Sequence, residues 1–234
     1  MNNDKKPFVE LSGVYRNFKS GKETIHALSE VNFTIEPGEF VAIIGPSGSG
    51  KSTLLTIMGG LLTPSGGEVR LRGKKFSAAS EKERVRQRLH HVGFVLQTSN
   101  LVPYLSIEDQ FRFVDRVLRR PFQADKMKKL LEQLKIYDLR KQYPSDLSGG
   151  ELQRAAVARA LYPEPSLILT DEPTASLDTQ KAFELVELLA HQTKTLKKAT
   201  VMVTHDERLI KYCDKVYQMK DGVLTDITAQ RRKK

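Results

Sequence analysis

The stretch Gly45-Pro46-Ser47-Gly48-Ser49-Gly50-Lys51-Ser52 places three glycines, a lysine and a hydroxyl at the G-x-x-x-x-G-K-[ST] spacing. It follows an apolar run, FVAII, and precedes a helix-forming one. The composition answers to phosphate. Successive backbone N–H groups can turn inward around phosphate oxygens only where no Cβ blocks the approach. Lys51 would reach the β- and γ-phosphates, and the Ser52 hydroxyl would ligate Mg²⁺. Thr53 completes the loop, and the helix that begins there adds partial positive charge from its N-terminus. Residues 45–53 are therefore expected to cradle the phosphates of ATP.

Two acidic residues supply the rest of such a site. In SLILTDEPTASLD, Leu167 to Thr170 read as a buried parallel strand, and Asp171 and Glu172 emerge at its C-terminal end. Open α/β sheets bind ligands at that end. Asp171 is expected to hold Mg²⁺ through water, and Glu172 to orient and polarise an attacking water. A further stretch, DLSGGELQRAAVARAL (146–161), is a good helix from Glu151 onward, yet it is entered through Ser148, Gly149 and Gly150. That entry makes a second anion site at a helix N-terminus. One nucleotide already has its phosphates held by residues 45–53. A second cradle without a second lysine loop is expected to serve a nucleotide bound by another copy, in a head-to-tail dimer with the ATPs sandwiched between protomers.

The elements that must position these groups alternate in type. VEL, VNFTI, EFVAIIG, GEVRL, VGFVLQ, SLILT and TVMVTH read as strands, and KVYQMKDGVLT as a hairpin turned at Asp221-Gly222. Helices are expected over LLTIMGGLL, from Ile107 to about Tyr143 with a break at Pro121, over the quoted 151–161 stretch, from Thr179 to Lys194, and just before Lys215. The pattern predicts an α/β fold with a mainly parallel sheet and an inserted helical subdomain.

The 234 residues, 39% hydrophobic and 28% charged, suit a globular chain with ample core. No apolar run approaches the roughly 18 to 20 residues that span a bilayer, and MNNDKKPFVE lacks the apolar centre of a signal peptide. The single cysteine, Cys213, excludes an internal disulfide, fits a reducing compartment and reads as a buried thiol. The net charge of +10 is concentrated between Arg70 and His91, with eight Lys/Arg against two Glu, and in the terminal RRKK. Such a balance suits nucleic acid, an anionic membrane surface or a polyphosphate. Aromatic residues are few (7%) and not interleaved with the basic clusters, which argues against a single-strand stacking platform.

The chain resembles, over essentially its whole length, the ATP-binding subunits of ABC transporters. Residues 45–53 match the family's Walker A motif, 167–172 its Walker B, and LSGGE (Leu147 to Glu151) its signature. Gln97 in VGFVLQTSNLVPYL matches the Q-loop, Ser176-Leu177-Asp178 the D-loop, and His205 in MVTHD the switch histidine. Phe18 falls where the family stacks an aromatic ring, usually tyrosine, on adenine; phenylalanine keeps the π-face and loses the hydroxyl.

The resemblance implies a P-loop ATPase core with an N-terminal antiparallel β subdomain, formed by residues 8–97 and 162–227. A helical signature subdomain occupies 98–161, and a basic tail 228–234. It implies Ser52, Gln97 and Asp171 as Mg²⁺ ligands, Glu172 as base, and His205 steadying the γ-phosphate. Ser148, Gly149, Gly150 and Glu151 would face the ATP of the partner copy. The segment from 98 to 107 would grip a cytoplasmic helix of a membrane permease present in two copies, placing the chain at the cytoplasmic face of the membrane. Within the family, TIMGGLL, LVPYL and THDERLIKYCDKV are similar to ATPases that serve MacB-type and lipoprotein-releasing permeases, the haem and glycolipid exporters in particular. Export of haem or another hydrophobic or toxic compound is expected. The alternatives are a nucleic-acid-associated ABC ATPase, which would ordinarily carry coiled-coil insertions or a second ATPase module, and an ATPase driving a non-transporting permease of the cell envelope. The basic clusters are expected to face anionic lipid.

Overall fold

The computed structural model describes residues 6–21 and 23–231. In chain order the strands are β1 (Val9–Ser20), β2 (Glu23–Ile35), β3 (Phe40–Ile44), β4 (Gly66–Leu71), β5 (Lys74–Lys75) and β6 (Val92–Val95), then β7 (Leu167–Asp171), β8 (Ala199–Val203), β9 (Lys215–Lys220) and β10 (Val223–Asp226). The helices are α1 (Lys51–Met58), α2 (Glu81–His91), α3 (Ile107–Val117), α4 (Ala124–Gln133), α5 (Gly149–Leu161), α6 (Thr179–Thr195) and α7 (Thr228–Arg231). One sheet is antiparallel in the order β2-β1-β4-β5, and the other runs β10-β9-β3-β8-β7-β6. All neighbours in the second sheet are parallel except β9 and β10.

Strand alternation divides the interior in two. Val41 and Ile43 of β3, Leu167 and Leu169 of β7, and Val201 and Val203 of β8 face one side, where they pack with Leu54, Leu55, Ile57 and Met58 of α1 and with β1, β2 and β4. The residues between them turn the other way. Phe40, Ile168 and Met202 join Phe111 of α3, Leu131 of α4, Val157 of α5 and Leu185 of α6. Strands buried on both faces read as continuous apolar runs, as these do. The helical insert from α3 to α5 thus shares one core with the face of the parallel sheet away from α1.

Two buried polar residues pin that insert. Tyr162, directly after α5, donates its hydroxyl to the Asp115 carboxylate of α3, which also accepts from Arg120 and from the Gln123 N–H at 3.1 Å. The Tyr162 ring stands edge-on to Phe111, centroids 4.9 Å apart.

Several elements differ from the sequence-based expectation. β1 and β2 extend well beyond VEL and VNFTI as a long ladder with bulges. α1 stops at Met58 rather than running on to Leu62, because Gly59 and Gly60 abut Phe94 and Phe76 and Gly60 takes φ 68°. The element before Lys215 is a 3₁₀ helix, Glu207–Tyr212. Of the supposed basic tail, Thr228–Arg231 forms α7, with Arg231 bonded to Glu207 at 2.7 Å, while 232–234 lie outside the described residues. α2 was not foreseen: it buries no residue fully, so no apolar stripe marks it. It is held by Ser80 at its N-cap and by Arg84 and Arg88, which donate to Thr63 Oγ1 at 2.7 Å and to the Gly60 carbonyl at 2.5 Å.

Candidate functional site

The phosphate loop leaves β3 at Gly45 and enters α1 at Lys51. Gly45, Gly48 and Gly50 adopt φ of 151°, 77° and 106°. Two of them also lie against backbone. A Cβ on Gly45 would collide with the Met219 carbonyl and one on Gly50 with the Ala27 carbonyl, whereas Gly48 faces open space. The loop rests on the β9–β10 turn, where Gly222 N–H donates to the Ser49 carbonyl at 3.1 Å. Asp221 and Gly222 both take positive φ (49° and 78°), as a tight two-residue hairpin turn requires. These supports escaped the sequence reading, since backbone contacts from such distant segments leave no side-chain pattern.

Lys51 is buried, and its ammonium donates to the Gly45 and Pro46 carbonyls at 2.8 and 2.7 Å, folded back across the loop. Ser49 Oγ is buried and, among the described residues, has no hydrogen-bond partner. A glycine-rich loop, a lysine folded across it and an unmatched hydroxyl are what phosphate oxygens would complete.

The parallel strands gather the other groups. β3, β8, β7 and β6 lie side by side and end together, with Ile43 level with Val203, Val203 with Asp171, and Thr170 with Val95. At strand spacing their ends span roughly 14 Å. The phosphate loop leaves β3, His205 follows β8, Asp171 and Glu172 end β7, and Gln97 stands two residues beyond β6. Asp171 is buried and Gln97 is exposed.

Glu172 adopts φ 49°, a left-handed conformation that costs a non-glycine residue roughly 1 kcal/mol. It is fixed by its N–H, which donates to the Val203 carbonyl at 3.0 Å. Its carboxylate oxygen Oε2 lies 2.9 Å from His205 Nδ1 and also accepts from the His205 N–H at 3.4 Å. The Glu172 side chain is 14% exposed and that of His205 75%, so the carboxylate is sheltered and the histidine stands out in solvent.

Ser148 caps α5 in a reciprocal box. Its hydroxyl accepts from the Glu151 N–H at 3.4 Å, while the Glu151 carboxylate accepts from the Ser148 N–H at 2.8 Å and hydroxyl at 2.7 Å. Those two bonds hold the Glu151 carboxyl below its ordinary range. Ser148 and Gly149 are exposed. Gly149 and Gly150 lie against Ser176 and Leu177 of the same chain, where an added Cβ would come within 3.4 and 3.2 Å. Asp178 then caps α6, accepting from the Lys181 N–H at 2.9 Å, and its pairing with Lys181 keeps its carboxyl ionised below the usual range.

Phe18, in β1, is half-buried, and its ring carries the Arg16 guanidinium 4.6 Å from its centroid. Arg16 is anchored in turn on the Thr63 carbonyl at 2.9 Å. Arg16 did not figure in the sequence-based site.

Mg²⁺ fits this donor set only in company. Among the described residues there is no cluster of three or more His, Cys, Asp or Glu side chains. Ser52, Gln97 and Asp171 contribute a single carboxylate between them, so phosphate oxygens and water would complete the shell, as is usual for this ion.

Residues 28–175 match the family model described as ABC transporter. The chain is 40% identical over 216 residues to a Staphylococcus haemolyticus protein named "Putative hemin import ATP-binding protein HrtA", covering 92% of this chain and 97% of that one. A Staphylococcus aureus protein of the same name is 40% identical over 218 residues, with 92% and 98% covered. Among solved structures, the dimeric post-hydrolysis state of the ATP-binding cassette MJ0796 with ADP and Pi superposes with a TM-score of 0.87 at 36% identity, covering 94% of this chain and 98% of that one. The protein cbiO1 of Clostridium perfringens, part of the ABC transporter complex cbiONQ, gives 0.79 at 30% identity, with 94% and 87% covered. The shared sequence and fold, together with the site just described, establish that the chain belongs to the ABC transporter family, as its ATP-binding and ATP-hydrolysing cassette.

Proposed function

We propose that the chain works as a homodimer that closes on two ATP molecules and reopens on hydrolysis, driving a membrane permease. The observation that carries this reading is the shared edge of β3, β8, β7 and β6, which presents the phosphate loop, His205, Glu172 and Gln97 in one row. In the proposed cycle the Gly45–Thr53 cradle binds the phosphates, and Lys51 exchanges its loop carbonyls for β- and γ-phosphate oxygens. Phe18 stacks on the adenine. Ser148, Gly149 and Gly150 of the partner copy cap the γ-phosphate with helix N–H groups. Glu172 orients and deprotonates the attacking water, and His205 holds the γ-phosphate while that happens. Ser52, Gln97 and Asp171 would hold Mg²⁺, which would supply positive charge to offset that of the phosphates. Ser176 and Leu177 lie against the signature glycines of their own chain, which supports a role for the Ser176-Leu177-Asp178 segment in carrying closure from one site to the other.

Among the described residues no helix is long and apolar enough to cross a membrane. A permease of the MacB/FtsX-like type, docked on the segment from 98 to 107 at the cytoplasmic face of the membrane, fits the sequence resemblance. Tyr104 in that segment is largely exposed. A haem-class cargo is favoured by the relatives' name, which says import, while the sequence resemblance suggested export. The same closure can power either, and the permease sets the direction. The nucleic-acid reading has less support, because much of the basic segment is paired internally: Arg70 and Lys75 with Glu68, Arg84 and Arg88 with Glu81, and Arg86 with Glu83. The test is to recover tagged Glu172→Gln from detergent-solubilised membranes with ATP and Mg²⁺. A co-purifying integral membrane protein supports the transporter reading, and nucleic acid or soluble partners in its place would overturn it.

A further inference from the structure

Once those ion pairs are set aside, Arg72, Lys74 and Lys82 remain on the basic segment, and the first two of them face one cavity. The turn between β4 and β5 is a tight two-residue hairpin, with Arg72 at φ 52° and Gly73 at φ 76°. It presents Arg72 and Lys74 toward α2 across a cavity of about 750 Å³. The opposite wall is a single helix stripe, Glu83, Arg86, Gln87 and His90, at the i, i+3, i+4, i+7 spacing that puts residues on one face, with His91 at its end.

The charges in this cavity are unbalanced. Among the described residues Glu83 is the one carboxylate lining it; it already accepts from Arg86 and, at 3.1 Å, from Gln87, and the Lys74 charge adds to their pull on it, so one anion faces three cations. Among the described residues neither Arg72 nor Lys74 pairs with a carboxylate. Arg72 is restrained, its guanidinium lying 5.7 Å from the Phe8 ring centroid. The stem of Lys6, a further cation, lies over Gly73. The half-buried His91 imidazole is held below its ordinary range first by burial and then by Arg72, His90 and Lys74. These groups repel one another, and an anion between the turn and the helix would relieve that repulsion. Among the described residues no Phe, Tyr or Trp lines the cavity, so it lacks the large rings on which successive bases of a strand stack.

We infer that the cavity between the β4–β5 turn and α2 binds a phosphate group, carried by a lipid headgroup or by a free polyphosphate. The site is separate from the nucleotide cradle and does not depend on the transporter reading.

The test uses the full chain with ADP and Mg²⁺ in excess, so that the phosphate loop is filled, and follows the His90 and His91 imidazole resonances by NMR. Inorganic pyrophosphate is one probe; phosphatidylglycerol vesicles, compared with phosphatidylcholine vesicles in a flotation assay, are the other. Pyrophosphate is expected to shift both resonances and raise the pH at which both rings titrate, leaving His191 unmoved. A Lys74→Gln/Arg86→Gln variant should bind at least about tenfold more weakly; both residues are exposed, and Arg72→Asn, which tolerates the positive φ, serves as a second variant. Flotation with phosphatidylglycerol alone, lost in the variants, assigns the lipid source. Shifts with pyrophosphate but no flotation assign the free phosphate. Histidines that respond to neither probe, or variants that bind as well as the parent chain, would overturn the inference.

Discussion

Glu172 and His205 meet across the ends of β7 and β8, with Oε2 of the carboxylate 2.9 Å from Nδ1 of the imidazole. The sheltered carboxylate and the exposed histidine are thus already in register, and in the proposed cycle γ-phosphate need only draw His205 toward itself to leave the carboxylate facing water. Glu172→Gln should retain ATP binding and lose turnover by about 10²- to 10⁴-fold, the usual worth of a general base. His205→Ala should also slow turnover, with binding kept. Nucleotide titration beside single-turnover hydrolysis separates the two steps, and a Glu172→Gln chain that turns over at the parent rate would remove Glu172 from the mechanism.

The Ser148 cap predicts a split between stability and assembly. Ser148→Ala removes the side-chain acceptor for the Glu151 N–H and should cost about 1 kcal/mol in chemical unfolding. ATP binding by the monomer should be unaffected, since the residues proposed to hold ATP in the same chain, 45–53 and Phe18, do not include Ser148. A loss of monomer affinity comparable to that of Lys51→Ala would place Ser148 in its own chain's site and contradict a shared one.

Asp115 predicts how the helical insert responds to acid. Burial alone would raise its carboxyl, but the Tyr162 hydroxyl, Arg120 and the Gln123 N–H together hold it below the ordinary range. A carboxyl depressed in the folded state contributes stability that is present above the ordinary aspartate value near 4 and is lost as pH falls through the lower folded value. Tyr162→Phe should cost about 1–3 kcal/mol at neutral pH. It should also move the acid unfolding midpoint upward, because Asp115 then protonates more readily. Melting temperature followed from pH 7 to pH 3 checks both, and parallel acid profiles for the two chains would count against the Asp115 account.

Cys213 should be chemically quiet. Burial, with Asp214 beside it, pushes its thiol up to about 12. The residue is only half-buried, so slow alkylation of the native chain near neutral pH is expected from the raised thiol rather than from blocked access, with ordinary reactivity in denaturant. Rapid native labelling would contradict the raised thiol.

What could be read from residues alone follows a physical line. The phosphate loop was legible because Gly45 and Gly50 answer to two demands at once, positive φ and close backbone approach, that other residues cannot meet, and Gly48 to the first. The hairpin at Asp221-Gly222 was legible for the first of those reasons. The central strands announced themselves as apolar runs because both faces are buried. α2 was missed because polar and charged side chains, rather than an apolar stripe, hold it in place. The support of the phosphate loop by Met219, Gly222 and Ala27 was missed because it is made by backbone atoms. Arg16 over Phe18 was missed for a different reason: the pair forms within a long strand of which only the first three residues were expected.

The central claim is that two copies share two nucleotides, each held by the 45–53 cradle of one copy and the 148–150 helix entry of the other. Sedimentation equilibrium of Glu172→Gln with and without ATP and Mg²⁺ tests it most directly, with bound nucleotide counted in the same samples. The expected result is a monomer that becomes a dimer holding two ATP, and a Glu172→Gln/Ser148→Arg chain that binds ATP but stays monomeric. A monomer at saturating ATP, or a dimer that survives Ser148→Arg, would contradict the account.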